Sequence, residues 1–205
     1  MSGRESDCKE KAWARAAGRR ISSCEVGLLI SLVLLVGSSV VPGMVACRRA
    51  RVRKNAYEGL MNVVTACRML YHEYSGWPDP LRAPDYDMEF GARVPTRKLI
   101  NVLSANDGPG NWAHSVNPAR IVFLKDMDYF RYGRGGIDQT GDLLDPWGTP
   151  VRVVLDSNDD GFCRAETGEI EPVADEKAIA WSAGPDRSFG TDDDVHSWRQ
   201  LPPRH

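Results

Sequence analysis

The spacing of apolar and polar residues divides the chain into two unlike parts. From Val26 to Ala46 no residue is charged, and most are Leu, Val, Ile, Gly or Ser. About 20 apolar residues of helix cross the hydrocarbon core of a bilayer, so this run is long enough to span. It also exceeds the roughly 7–15 apolar residues of a cleavable secretory signal. The pattern then changes without a break. Tyr57, Leu60, Met61, Val64, Cys67, Leu70 and Tyr71 recur at spacings of three and four, which marks one face of a helix. No proline falls between Pro42 and Pro78, and Gly76 in "YSGWP" supplies a stop signal. The pattern predicts one helix from about Ile21 to Tyr74, roughly 80 Å long at about 1.5 Å per residue. Its first half is apolar all round and its second half amphipathic. Two helices broken near Pro42 would bury the same faces.

Past the helix the periodicity becomes short and mixed. "PDPLRAPDYDMEFGARVP" reads as a proline-rich connection and "TRKLINVLSAN" as a short helix capped by Thr96. "NDGPGNWAHSVNP" is loop, "ARIVFLKD" is apolar enough for a strand, and "GDLLDPWGTPVRVVLDSNDDG" reads as turn, strand, turn. "KAIAWSAG" is a further strand ending in a loop. A long helix followed by a small antiparallel sheet is an α+β order. What residues 78–140 contribute is left open by the sequence.

Charge orients the chain only weakly. The 205 residues carry a formal net charge of -2. Arg4, Lys9, Lys11, Arg15, Arg19 and Arg20 precede the apolar run, and "CRRARVRK" follows it, so both flanks are basic and the positive-inside rule votes faintly. The bulk of the polar chain lies after the run, which favours export of that part. The expected organisation is a basic cytoplasmic leader over 1–20 and a transmembrane segment over 21–46. The amphipathic continuation follows over 47–76, and a periplasmic head over 77–205. Cys8, Cys24, Cys47, Cys67 and Cys163 form no disulfide framework and no CxxC metal spacing, although a Cys67–Cys163 bridge is open to the chain.

Two residues in the apolar segment are costly there: Glu25 at its lip and Pro42 near its far end. In "ISSCEVGLLISLVLLVGSSVVP" they stand four residues after Ile21 and seventeen residues further on. At the other end of the chain, "LLDPWGTPVRVV" is followed by "IAWSAGPDRSFGTDDDVHSW". Together these resemble the type IV pilin-like proteins, in particular the major pseudopilin of type II secretion. Asp145, Pro146, Trp147 and Gly148 match the family's DPWG turn. Ser182, Gly184, Asp186, Gly190, Thr191, Asp192 and Asp194 match its C-terminal loop.

The resemblance implies a pilin-like α+β fold, with a long helix packed on a small antiparallel sheet that ends in a calcium-type loop. It implies a subunit that does no chemistry. Such a subunit waits in the bacterial inner membrane with its head in the periplasm, then stacks with like subunits and other pseudopilins into a filament on an inner-membrane assembly platform. Glu25 would pair with the free amine of a neighbouring subunit, and Pro42 would let the helix bend. Prepilin peptidase would cut before Ile21, but Arg20 stands where the family has glycine. A retained leader would let Arg19 or Arg20 supply the missing cation. The loop would bind Ca²⁺ through Asp186, Asp192 and Asp194, assisted by Asp193 and by Ser182 or a nearby carbonyl. Six to eight oxygens suit that hard cation.

Other readings stay open. "MVAC" looks like a lipobox, with Cys47 lipidated and the chain serving as a membrane- or lipid-anchored binding module. "DSNDDG" places Asp156, Asn158, Asp160 and Gly161 as in the first half of a calcium loop, but position twelve is Thr167, so a plain turn is expected. His72, His114, His196 and His205 sit in no zinc or triad spacing, and no catalytic set emerges. "RRARVRK" suits phospholipid headgroups or filament packing better than nucleic acid, given the acidic tail.

Overall fold

The computed structural model describes residues 23–125 and 135–199, with no side chains described for 23–25, 29–30 and 32–43. The first helix, α1, covers Ser23–Glu73, 51 residues that include Glu25 and Pro42. The chain divides into two compact units, Met1–Arg48 and Arg49–His205. In the first unit Val26, Leu28, Met44 and Val45 are exposed. Among the described residues no helix is long and apolar enough to cross a membrane. The span expected over Val26 to Ala46 falls mostly on side chains outside the description, and Arg20 and Ile21 lie outside it altogether.

The helix stops one residue earlier than its glycine suggests. Ser75 takes the left-handed conformation (φ 53°). Its amide donates to the His72 carbonyl at 3.3 Å, and Gly76 N donates to the Tyr71 carbonyl at 2.8 Å. That closing pattern normally puts glycine at the left-handed position.

The second unit is mixed helix and small antiparallel sheets, an α+β arrangement. β1 (Met88–Phe90), β4 (Arg152–Leu155), β7 (Ala178–Ser182) and β8 (Val195–His196) form a four-stranded antiparallel sheet in the order β1-β4-β7-β8. Two two-stranded ribbons accompany it, β2 (Gly136–Ile137) with β3 (Leu143–Leu144) and β5 (Phe162–Cys163) with β6 (Val173–Ala174). Alternate residues along β4 and β7 face opposite ways, and both faces are buried. Val153, Leu155, Ala178 and Ala180 join the main core with Ala56, Leu60, Val63, Val64, Cys67 and Leu70 of α1. Val154, Ile179 and Trp181 join Cys163 and the half-buried Ile170, Val173, Phe189 and Trp198 on the other side. The helix face expected from spacing is therefore present. Its centre is turned toward Val63, with Tyr57 and Tyr71 at its margins.

Residues 78–125 depart most from the sequence-based expectation. The supposed connection contains β1, paired to β4 through Met88–Leu155 and Phe90–Val153. The short helix, α2, covers Thr96–Leu103 and buries Leu99, Ile100, Val102 and Leu103. Thr96 does not cap it: the N-cap is Pro95, with no side-chain bond. Asp142 performs that function from the ribbon, its Oδ1 accepting from Arg97 N at 2.9 Å and Thr96 Oγ1 at 3.2 Å.

The predicted strand in "ARIVFLKD" is absent from its described part, 119–125. Phe123 N and Leu124 N instead both donate to the Leu103 carbonyl that ends α2. The loop before it is pinned by two wholly buried amides. Asn111 accepts from Val116 N and Asn117 N, and Asn117 donates to the Val102 and Ile121 carbonyls.

Candidate functional site

The two motifs at the C-terminal end meet in space. Asp145 opens the turn through Gly148, whose φ of 89° suits glycine. The Asp145 Oδ1 accepts from Trp147 N at 2.9 Å and Thr149 N at 2.8 Å. Its other oxygen accepts from Ser182 Oγ, at the end of β7, at 2.6 Å. Ser182 Oγ in turn accepts from Gly184 N at 3.2 Å. Both Asp145 and Ser182 are buried. Burial raises the Asp145 pKa, and the hydrogen bonds from Ser182, Thr149 and Trp147 offset only part of that effect.

The acidic loop grows directly from this junction. At Gly184 (φ 69°) a side chain would meet the Asp193 carbonyl oxygen at 2.4 Å, so glycine allows the loop to close on itself. Asp193 accepts from Thr191 Oγ1 at 2.5 Å and from Asp186 N at 3.1 Å. The Thr191 bond holds its carboxyl below the usual range against a smaller burial effect. Asp194 is buried and accepts from Gly190 N at 2.9 Å. Burial pushes its carboxyl up, the bonds from Gly190 and Thr191 counter it, and the neighbouring Asp193 charge adds to the rise. Asp186 accepts from Ser188 N at 2.8 Å, and Asp192 is exposed.

Of the five residues expected to hold calcium, Asp186, Asp193 and Asp194 share one hydrogen-bonded loop. The Ser182 hydroxyl faces Asp145 instead. Among the described residues no group of three or more His, Cys, Asp or Glu side chains is arranged to hold a metal ion. The donor set is nevertheless of the right kind. Asp194 is a buried carboxylate with no cationic side chain paired to it among the described residues, and Asp193 repels it.

The helix reaches this loop through Arg53, whose Nη2 donates to the Asp194 carbonyl at 3.2 Å. A cleft of about 550 Å³ lies beside it, lined among others by Glu169, Glu171, Asp192, Asp194, His196 and Trp198. Burial, and then the Arg199 and Arg53 charges, push the His196 pKa down to about 4. A second hollow of about 460 Å³ lies between α1, near Gly59, and the segment from Leu143 to Pro146.

The "DSNDDG" stretch is a turn whose cation is a side chain. Asp156 is wholly buried and accepts from Asp160 N at 3.1 Å. Lys177 Nζ donates to Asp156 at 2.8 Å and Asp159 at 2.5 Å, and lies over the Tyr71 ring at 5.1 Å. Tyr71 Oη also donates to Asp159 at 2.8 Å, which ties the end of α1 to this turn. Burial opposes the Lys177 charge, but the two carboxylates outweigh it and raise its pKa. Nothing in the linear sequence pairs Lys177 with a turn 18 and 21 residues away. The same holds for Asp142 and α2.

Cys67 and Cys163 are both buried, unpaired thiols, so the bridge left open by the sequence is not formed. Cys163 Sγ donates to the Glu176 carbonyl at 3.2 Å. Cys47 is unpaired and exposed.

No family model, curated protein or solved structure matches the chain.

Proposed function

We propose that this chain is a pilin-like structural subunit of a type II secretion pseudopilus, held in the inner membrane and stacked through its N-terminal helix to drive protein export. The observation that carries the reading is the buried Ser182–Asp145 bond. It joins the DPWG turn to the acidic C-terminal loop, the two motifs on which the resemblance rests, in a head walled by the second half of a long helix. Such subunits stacked head to tail on an open helical path make a filament rather than a closed ring. Glu25 and Pro42 are the proposed assembly residues. Ca²⁺ is the proposed ligand of the acidic loop, with Asp186, Asp192, Asp193 and Asp194 as its carboxylates. Its charge would offset the Asp193–Asp194 repulsion and stabilise the loop.

The test is incorporation of Glu25→Ala into filaments, read beside the mass of the mature N-terminus. A chain that starts at Ile21, N-methylated, and a Glu25→Ala variant that is anchored but excluded from filaments are the expected results. Normal incorporation of Glu25→Ala overturns the reading. The exposed Cys47 keeps a second reading in view, a lipid-anchored binding module. An acylated Cys47 terminus would establish it.

A further inference from the structure

Arg152 opens β4 opposite Trp181 of β7, on the face it shares with Val154. Only 14% of its side chain is exposed. The edge of its guanidinium is taken up by hydrogen bonds. Nη1 donates to the Gly91 carbonyl that follows β1, and Nε and Nη2 donate to the two oxygens of Glu169 at 3.4 and 3.2 Å. The buried Glu89 carboxylate lies 4.0 Å from Nε. The flat face of the same group covers the Phe189 ring, with Cζ 4.4 Å from its centroid.

Phe189 is the one aromatic residue between Gly184 and Asp194. Its two neighbours hold the carboxylates of the acidic loop. On one side Ser188 N donates to Asp186 at 2.8 Å, and the Ser188 carbonyl accepts from Thr191 Oγ1 at 3.2 Å. On the other side Gly190 N donates to Asp194 at 2.9 Å. A side chain that fixes the Phe189 ring therefore fixes the two amides on which Asp186 and Asp194 depend. Only a planar cation can bond through its edge and stack through its face at once; an ammonium is a point charge. Glu89 and Glu169 outweigh the Arg152 charge, so the residue steadies the loop without repelling a cation from it.

We propose that Arg152 is the positioning residue of the acidic loop. Through Phe189 it holds the Asp186 and Asp194 carboxylates in the arrangement a divalent cation would meet. The proposal rests on the calcium part of the reading above and adds the residue that prepares the loop from β4.

The test titrates calcium into the metal-free full chain in detergent and follows amide hydrogen exchange without calcium. R152K keeps the charge that Glu89 and Glu169 require, and F189L keeps an apolar side chain but removes the ring. Each should raise the calcium Kd about three- to tenfold, as expected for a lost cation–π contact. The double variant should be no worse than either single one, because both remove the same contact. F189Y, which keeps the ring, should stay within about twofold of the parent. In R152K the Ser188 and Gly190 amides should exchange faster before any calcium is added. A general loss of stability would not single out these amides or restore affinity in F189Y.

Unchanged Kd and unchanged exchange in R152K overturn the positioning role and leave the calcium reading standing. Additive losses in the double variant, or a loss in F189Y equal to that in F189L, overturn it too. A parent chain that binds no calcium, with exchange still faster in R152K, removes the cation and keeps Arg152 as the residue that holds the loop.

Discussion

Ser182 donates its hydroxyl hydrogen to the buried carboxylate of Asp145, 37 residues earlier in the chain. Through this bond the end of β7 holds the DPWG turn, and the same oxygen receives Gly184 N at the root of the acidic loop.

Removing either partner should have unequal effects. Ser182→Ala leaves a buried carboxylate short of one donor and is expected to cost about 2 kcal/mol. Asp145→Asn keeps the acceptor for Trp147 N and Thr149 N and drops the charge, so its cost should stay below about 1 kcal/mol. The pH response gives a second readout. Asp145 has a raised folded pKa. Its favourable contribution is therefore complete below the unfolded value of about 3.9 and is lost as pH rises through the folded one. The Ser182→Ala deficit should accordingly shrink as pH falls toward 4, measured by urea unfolding. A constant deficit would remove Asp145 from the account.

Lys177 is the cation of the "DSNDDG" turn. Lys177→Met strips the partner from the wholly buried Asp156. Breaking a buried pair costs about 3–5 kcal/mol, and because the lysine is about a third exposed a loss nearer 2–3 kcal/mol is expected. Adding Asp156→Asn should restore at least half of it. Independent, additive losses in the double-mutant cycle would show that the two do not act as a pair.

The cap on α2 is supplied from outside the helix. Asp142→Ala frees Arg97 N and removes the Arg97–Asp142 ion pair of 2.6 Å. A lost cap costs about 1–2 kcal/mol. Hydrogen exchange should speed up in the first turn of α2 and leave β4 and β7 protected.

These two contacts show where the sequence stops being legible. Local patterns were readable: the long helix and the strands in "VRVVL" and "AIAWS" follow from period and turn residues. What escaped was every element fixed from a distance. β1 is three residues long, too short for alternation to register, and exists because β4 offers its edge. "ARIVFLKD" has strand composition, yet its amides turn back to the end of α2. Thr96 looks like a cap, but the capping carboxylate comes from Asp142. In the candidate loop the acids were legible as a cluster. That Asp194 is buried while Asp192 is exposed was not, because burial depends on the fold around them.

His196 isolates one proton. Its folded pKa of about 4 lies below the unfolded value of about 6.5. The unfolded chain therefore protonates first, and stability is lost as pH falls from 6.5 toward 4. For a half-buried ring the loss should be about 1–2 kcal/mol after solvent screening. His196→Gln should abolish that part of the slope. The opposing rise from Asp145 and Asp194 is common to both proteins and cancels in the difference.

Asp194 and Asp193 set the calcium question as a matter of charge. Burial first and then the neighbouring Asp193 charge raise the Asp194 pKa, and the bonds from Gly190 and Thr191 offset only part of that rise, so a proton or a cation would ease the loop further. Calcium would supply the other solution, lowering the Asp194 pKa and removing the repulsion at neutral pH. At a hundred times its Kd the cation adds about 2.7 kcal/mol, or roughly 5–10 °C in the melting of the full chain followed by tryptophan fluorescence. That rise should vanish in Asp186→Ala, which loses one carboxylate. It should also be weak with magnesium, which needs a tighter octahedral set than this loop offers. A parent chain whose melting ignores calcium would overturn the cation at this loop.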